Sequence, residues 1–139
     1  MLFGPAQVAA RIGELTLARD LHPLLVARFA VALMAAAFAL LAMLGLSLAT
    51  AALFAVMFGA ANGLVTIARG TVPLAMFGSA GYGHVVGRIA GPSLLSQAVA
   101  PLVLASVIEH ASDAVALAIA AGLAILSLAC FLTIRRPAA

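Results

Sequence analysis

Three long intervals of this sequence carry no Asp, Glu, Lys or Arg: residues 29–68, 89–108 and 114–134. A helix needs roughly 20 apolar residues to cross the hydrocarbon layer of a bilayer. The first interval is therefore long enough for two crossings and each of the others for one. Gly45-Leu46-Ser47 divides the first interval with a glycine that permits a tight turn and a hydroxyl that can cap a helix. The pattern predicts four full spans, at about 24–45, 48–69, 87–109 and 113–134.

A shorter helix is expected over about 4–18, opened by Gly4-Pro5 with proline at its first position. It carries Arg11 and Glu14 in its second half and is short for a fifth crossing. It reads as a helix whose beginning, and whatever preceded it, has been lost. The expected fold is all-α: a single transmembrane helix bundle over residues 1–139, with four full spans and one shortened N-terminal helix.

Helix-end residues agree with these spans. Ser112-Asp113 places a cap and a negative charge at a helix start, and Arg135-Arg136 place positive charge at its end, as the macrodipole favours. Arg69, followed by Gly70 and Pro73, reads as a stop signal. Residues 70–83 are expected to form a glycine-punctuated, weakly apolar loop at the membrane interface, or a short surface helix.

Composition decides the solvent. The chain is 66% hydrophobic and 8% charged, with a mean hydropathy of +1.28. Soluble domains are about half apolar and about a quarter charged. A water-soluble object of this composition would expose large apolar patches and aggregate, so the lipid bilayer is the expected partner.

All seven positive residues are arginine. They form no patch or stripe of the kind that binds nucleic acid. Once the crossings alternate, every one falls on a single side: Arg11, Arg19 and Arg28 before the first full span, Arg69 and Arg88 between the second and third, Arg135 and Arg136 at the end. The 45–48 turn has no charge, and the 109–113 turn has only Glu109 and Asp113. Arginine and lysine gather on cytoplasmic connections, so a cytoplasmic C-terminus in the cell membrane is expected. No positive region precedes the apolar start, so a signal peptide is not evident. The single cysteine, Cys130, excludes an intrachain disulfide.

Within lipid, small residues and polar contacts decide which helix faces meet. Gly59, Asn62, Gly63 and Thr66 share one face of the second full span. Two readings stand: close helix packing, or a hydrated cavity in which Asn62 and Thr66 meet a substrate. In the third span Gly83, Gly87 and Gly91 recur every four residues, a pattern that admits a neighbouring backbone. On another face, Ser93, Ser96 and Gln97 lie between Pro92 and Pro101. Gln97 is either a cavity-facing group beside freed carbonyls or a polar contact between helices. Arg11 and Glu14, three residues apart, can form an ion pair; Glu14 is also the one span-associated carboxylate available for proton coupling.

Catalysis finds no support. Gly78-Ser79-Ala80-Gly81 near His84 lacks the order of a nucleophile turn, and no paired-aspartate motif occurs. His22 and His84 are expected on one side and His110 on the other, roughly 30 Å away, so they cannot share a metal. No enzyme, metal or cofactor is expected.

Three stretches carry a resemblance. Gly4-Pro5-Ala6-Gln7-Val8-Ala9-Ala10-Arg11, leading through Arg19-Asp20-Leu21-His22-Pro23, resembles the eighth helix and following cytoplasmic loop of a major facilitator superfamily (MFS) transporter. Ala61-Asn62-Gly63-Leu64 through Arg69-Gly70-Thr71-Val72-Pro73-Leu74 is similar to the tenth helix and its exit. Gly81-Tyr82-Gly83 through Gly87-Arg88-Ile89, then Pro92 and Gln97-Ala98-Val99-Ala100-Pro101, is similar to the eleventh. The family's cytoplasmic Gly-x-x-x-Asp-Arg loop has only Gly13-Glu14-Leu15 leading to Arg19 here, with Leu17 where the acid would stand.

The resemblance implies helices eight to twelve of a twelve-helix secondary transporter, a partial C-terminal half that works by alternating access on a small-molecule substrate. It implies a substrate cavity bordered by Asn62 and Thr66, with Gln97 and Gln7 as flanking candidates. It also implies a missing N-terminal half, or another membrane chain, as partner. Two other functions stay open: a non-transporting membrane subunit or scaffold that associates through its glycine-rich faces, and a small self-assembling exporter.

Overall fold

The structure, a computed structural model, describes residues 3–17 and 21–134. They form five helices: α1 Phe3–Leu17, α2 Pro23–Leu44, α3 Leu48–Phe77, α4 Tyr82–His110 and α5 Asp113–Thr133. Among the described residues there is no strand. Helices α2 to α5 are each long and apolar enough to cross a membrane, so the chain has the makings of a multi-pass membrane protein. Arg19, Asp20, Arg135 and Arg136 lie outside the described residues.

The helix starts follow from local chemistry. Pro23 supplies a first-turn residue that needs no N–H partner, and His22 Nδ1 accepts from the Leu24 N–H at 3.2 Å. At the next reversal Gly45 closes α2 with φ 70°, a conformation that costs glycine little. Ser47 and Thr50 then form a reciprocal capping box on α3, and the Thr50 hydroxyl also reaches the Gly45 carbonyl at 2.8 Å. Ser112 caps α5 by accepting from the Val115 N–H at 3.2 Å, with Asp113 in the first turn.

One segment differs from the sequence expectation. Helix α3 does not stop at Arg69; it continues through Gly70 and Pro73 to Phe77, and α4 starts at Tyr82, five residues ahead of the expected boundary at 87. The expected loop over 70–83 is thus reduced to a four-residue reversal, 78–81, turned by Gly78 (φ 71°) and Gly81 (φ 82°). A proline removes the bond to the carbonyl four residues back and crowds the turn behind it. Here the Tyr82 hydroxyl donates to the Gly70 carbonyl at 3.2 Å, and the Thr71 hydroxyl to the Ile67 carbonyl at 3.2 Å. Both bonds lie in the turns just before Pro73; the carbonyl that Pro73 leaves without its usual partner is that of Arg69.

Helix α2 is central, with α3 on one side and α5 on the other, and α1 lies against α3. The buried positions are mostly alanine: Ala27, Ala30, Ala37 and Ala61 are fully covered, with Leu24 the one large side chain buried to the same degree. This is expected where lipid tails are as apolar as leucine and close backbone approach drives association. At the Gly45 end, Phe38, Phe54 and Phe58 form a ring cluster with centroids 5.4–5.6 Å apart, and Phe3 stacks on Phe58 at 5.8 Å. Helix α4 buries none of its residues.

Arg28, one turn into α2, closes the other end. Its Nε donates to the Phe131 carbonyl at 3.0 Å, and its Nη2 to the Leu132 and Ile134 carbonyls at 3.3 and 2.6 Å. The start of α2 and the end of α5 therefore lie at the same end of the bundle.

Candidate functional site

At that end, α2, α3, α4 and α5 enclose a cleft of about 680 Å³. Its walls are apolar, among them Val31, Val65, Ile89, Leu94 and Phe131. Among the described residues, Arg69 is the one charged residue lining it, and Ser93, Gln97 and Ser127 are the other polar ones.

The polar groups are connected. Arg69 Nη2 donates to Ser93 Oγ at 3.2 Å across the α3–α4 hairpin. Gln97 Nε2, one turn along α4, donates to the Ser93 carbonyl at 3.1 Å and to Ser93 Oγ at 3.2 Å. Ser93 Oγ thus accepts from two neighbours, which leaves its own hydroxyl proton to donate. Arg69, Ser93 and Gln97 together form a donor-rich patch on one wall, suited to an acceptor-bearing or anionic group. Ser96, by contrast, bonds the Pro92 carbonyl at 2.9 Å within α4 and is not among the lining residues.

The residues expected to border a substrate cavity separate. Gln97 lines the cleft. Asn62, Thr66 and Gln7 line neither it nor the second cavity, about 500 Å³ between α1, α2 and α3. Asn62 is half-buried, and the exposed Thr66 turns its hydroxyl back to the Asn62 carbonyl at 2.8 Å, so that face spends part of its polarity on its own helix. Gln7 is half-buried on α1, where its backbone faces α3.

The glycines divide in the same way. A Cβ added at Gly59 would stand 2.6 Å from the Phe3 carbonyl oxygen, and one at Gly63 would stand 2.6 Å from that of Gln7. These two positions let α1 lie on the α3 backbone. Gly83, Gly87 and Gly91 meet nothing within 4 Å.

Arg11 and Glu14 do not pair: among the described residues no ion pair forms within 4.0 Å, and Arg11 Nε is buried without a hydrogen-bond partner. Spacing of three residues brings two side chains to one face but does not force their tips together. Glu14 instead lines the second cavity.

Arg69 and Ser93 were not singled out by sequence as members of one site. Arg69 read as a helix stop and Ser93 as one member of a stripe. Their contact depends on a hairpin that joins residues 24 apart.

No family model, curated protein or solved structure matches this chain. What the residues themselves establish is an all-helical chain with four helices fit to cross a membrane and a polar cluster set in an otherwise apolar cleft.

Proposed function

We propose that this chain is the C-terminal part, helices eight to twelve, of a secondary active transporter of the major facilitator type. The intact parent moves a small solute by alternating access, and the chain is inactive alone. The observation that carries the reading is α4. It is 29 residues long, contains Pro92 and Pro101, presents Ser93 and Gln97 to a cleft, and buries none of its residues against the rest of the chain. A helix that is polar and proline-containing in mid-span suits a cavity wall between two halves of a transporter. The one-sided arginines support a cytoplasmic C-terminus in the cell membrane.

The open Gly83, Gly87 and Gly91 face favours a second reading, a non-transporting subunit that seats another membrane chain there. The genomic frame ahead of the Met1 codon separates the two. The transporter reading expects an in-frame continuation that encodes seven more spans. A stop codon close upstream, behind a strong ribosome-binding site, overturns it in favour of the subunit. In the continuous protein, Gln97→Ala and Asn62→Ala are expected to lower solute uptake at unchanged membrane abundance; unaltered kinetics in both would remove them from the substrate path.

A further inference from the structure

The cleft among α2, α3, α4 and α5 has a composition that bears on its occupant. Ligand pockets of roughly 300–1,000 Å³ are lined mainly by apolar side chains, and a few placed polar groups fix the ligand's orientation. Here, among the described residues, the polar lining consists of Arg69, Ser93, Gln97 and Ser127, with no acidic residue. The Arg69 guanidinium touches Ser93 Oγ, and no carboxylate among the described residues lines the cleft beside it.

Position along α3 adds a second observation. Its 30 residues rise about 45 Å at 1.5 Å per residue, more than the roughly 30 Å of a hydrocarbon core. Arg69 lies inside the cleft, flanked along α3 by the apolar Val65 and Ala68 on one side and by Val72, Pro73 and Met76 on the other.

We infer that the cleft binds an anionic amphiphile, with its acidic head on Arg69 and its hydrocarbon chain along the apolar walls. The guanidinium offers charge and several N–H donors to a carboxylate or phosphate. The Ser93 hydroxyl proton, free because its oxygen already accepts from Arg69 and Gln97, supplies a further donor. The chain has nonpolar contacts on all four helices, including Leu94 and Phe131. The site needs only the described helices and does not rest on a transport function.

Spin-label electron paramagnetic resonance of the chain in phosphatidylcholine bilayers tests this. The probes are nitroxide-labelled stearate at alkaline pH, labelled phosphatidylglycerol, labelled phosphatidylcholine and labelled methyl stearate. The expected result is a motionally restricted population of stearate with an association constant about fivefold above that of phosphatidylcholine, the factor worth about 1 kcal/mol for one arginine at a membrane surface. Methyl stearate should show no such preference. Restriction of phosphatidylglycerol as well identifies the bilayer's own acidic lipids as a source; restriction of stearate alone identifies a free fatty anion, and both patterns support the site.

Arg69→Gln should bring the acidic probes down to the phosphatidylcholine level, whereas Arg88→Gln, on an exposed α4 residue that does not line the cleft, should leave the preference intact. Ala90→Phe, which fills the cleft and keeps every charge, should abolish the preference at unchanged helix content. Equal association of all four probes overturns the inference. So does a preference that survives both Arg69→Gln and Ala90→Phe, or displacement of the labelled amphiphiles by excess inorganic phosphate, which would mark a site for small anions.

Discussion

Arg28 caps a helix it does not belong to: its Nη2 lies 2.6 Å from the carbonyl oxygen of Ile134, the residue that follows α5 as its C-cap. The last carbonyls of a helix have no partner within it, and here Nε and Nη2 of one guanidinium reach those of Phe131, Leu132 and Ile134. Hydrogen bonds to charged groups contribute about 1.5–3 kcal/mol. Arg28→Ala is expected to cost about 2 kcal/mol in the α2–α5 association, read by steric-trap unfolding in bicelles. Arg28→Lys should recover less than half, because an ammonium lacks the planar fork that serves several carbonyls together.

The α1–α3 crossing depends on two missing methyl groups. Gly63→Ala would push a Cβ to within 2.6 Å of the Gln7 carbonyl oxygen, a backbone atom with little freedom to yield. Overpacking of this kind costs about 1–3 kcal/mol, and hydrogen exchange of the α1 amides should accelerate accordingly. Gly87→Ala provides the contrast. With nothing within 4 Å, it should be neutral or slightly stabilising in the isolated chain, since alanine favours helix over glycine.

Tyr82→Phe removes the hydroxyl that serves the Gly70 carbonyl beside Pro73. The loss should be modest, about 1 kcal/mol, and local. Amide exchange in residues 70–77 should rise while that of α2 stays constant.

Alternating crossings place the helix reversals on opposite faces of a bilayer. In a Cys130→Ser background, cysteines at Leu46 and Ala111 should react with an impermeant maleimide from one side, and a cysteine at Ser79 from the other. Labelling of all three from the same compartment would contradict the four-crossing fold.

The helical class and the four candidate spans were legible because they depend on composition and on residues close in sequence. Gly45 and Ser47 mark a reversal whatever the helices later touch. The extension of α3 past Pro73 was not legible, because proline and two nearby glycines argue locally for a stop. The Tyr82 hydroxyl reaches the Gly70 carbonyl in that stretch, a contact that exists only after the hairpin closes. The site was half visible for the same reason. Gln97 stood out as an amide in an apolar run, but Arg69 joined it only through Ser93. Glycine spacing alone could not tell Gly59 and Gly63, which meet α1, from Gly83, Gly87 and Gly91, which meet nothing in this chain.

The reversal at Gly45–Ser47 bears on how the chain reaches its place. If α2 and α3 enter the membrane together, this apex is the piece that must be drawn through oil, and exposed peptide groups there would each resist the passage. The Ser47 and Thr50 amides donate to the Thr50 and Ser47 hydroxyls, the Thr50 hydroxyl proton serves the Gly45 carbonyl, the Ala51 amide serves that of Ser47, and the segment has no charge. The apex between α2 and α3 therefore carries fewer bare peptide groups than an uncapped turn would.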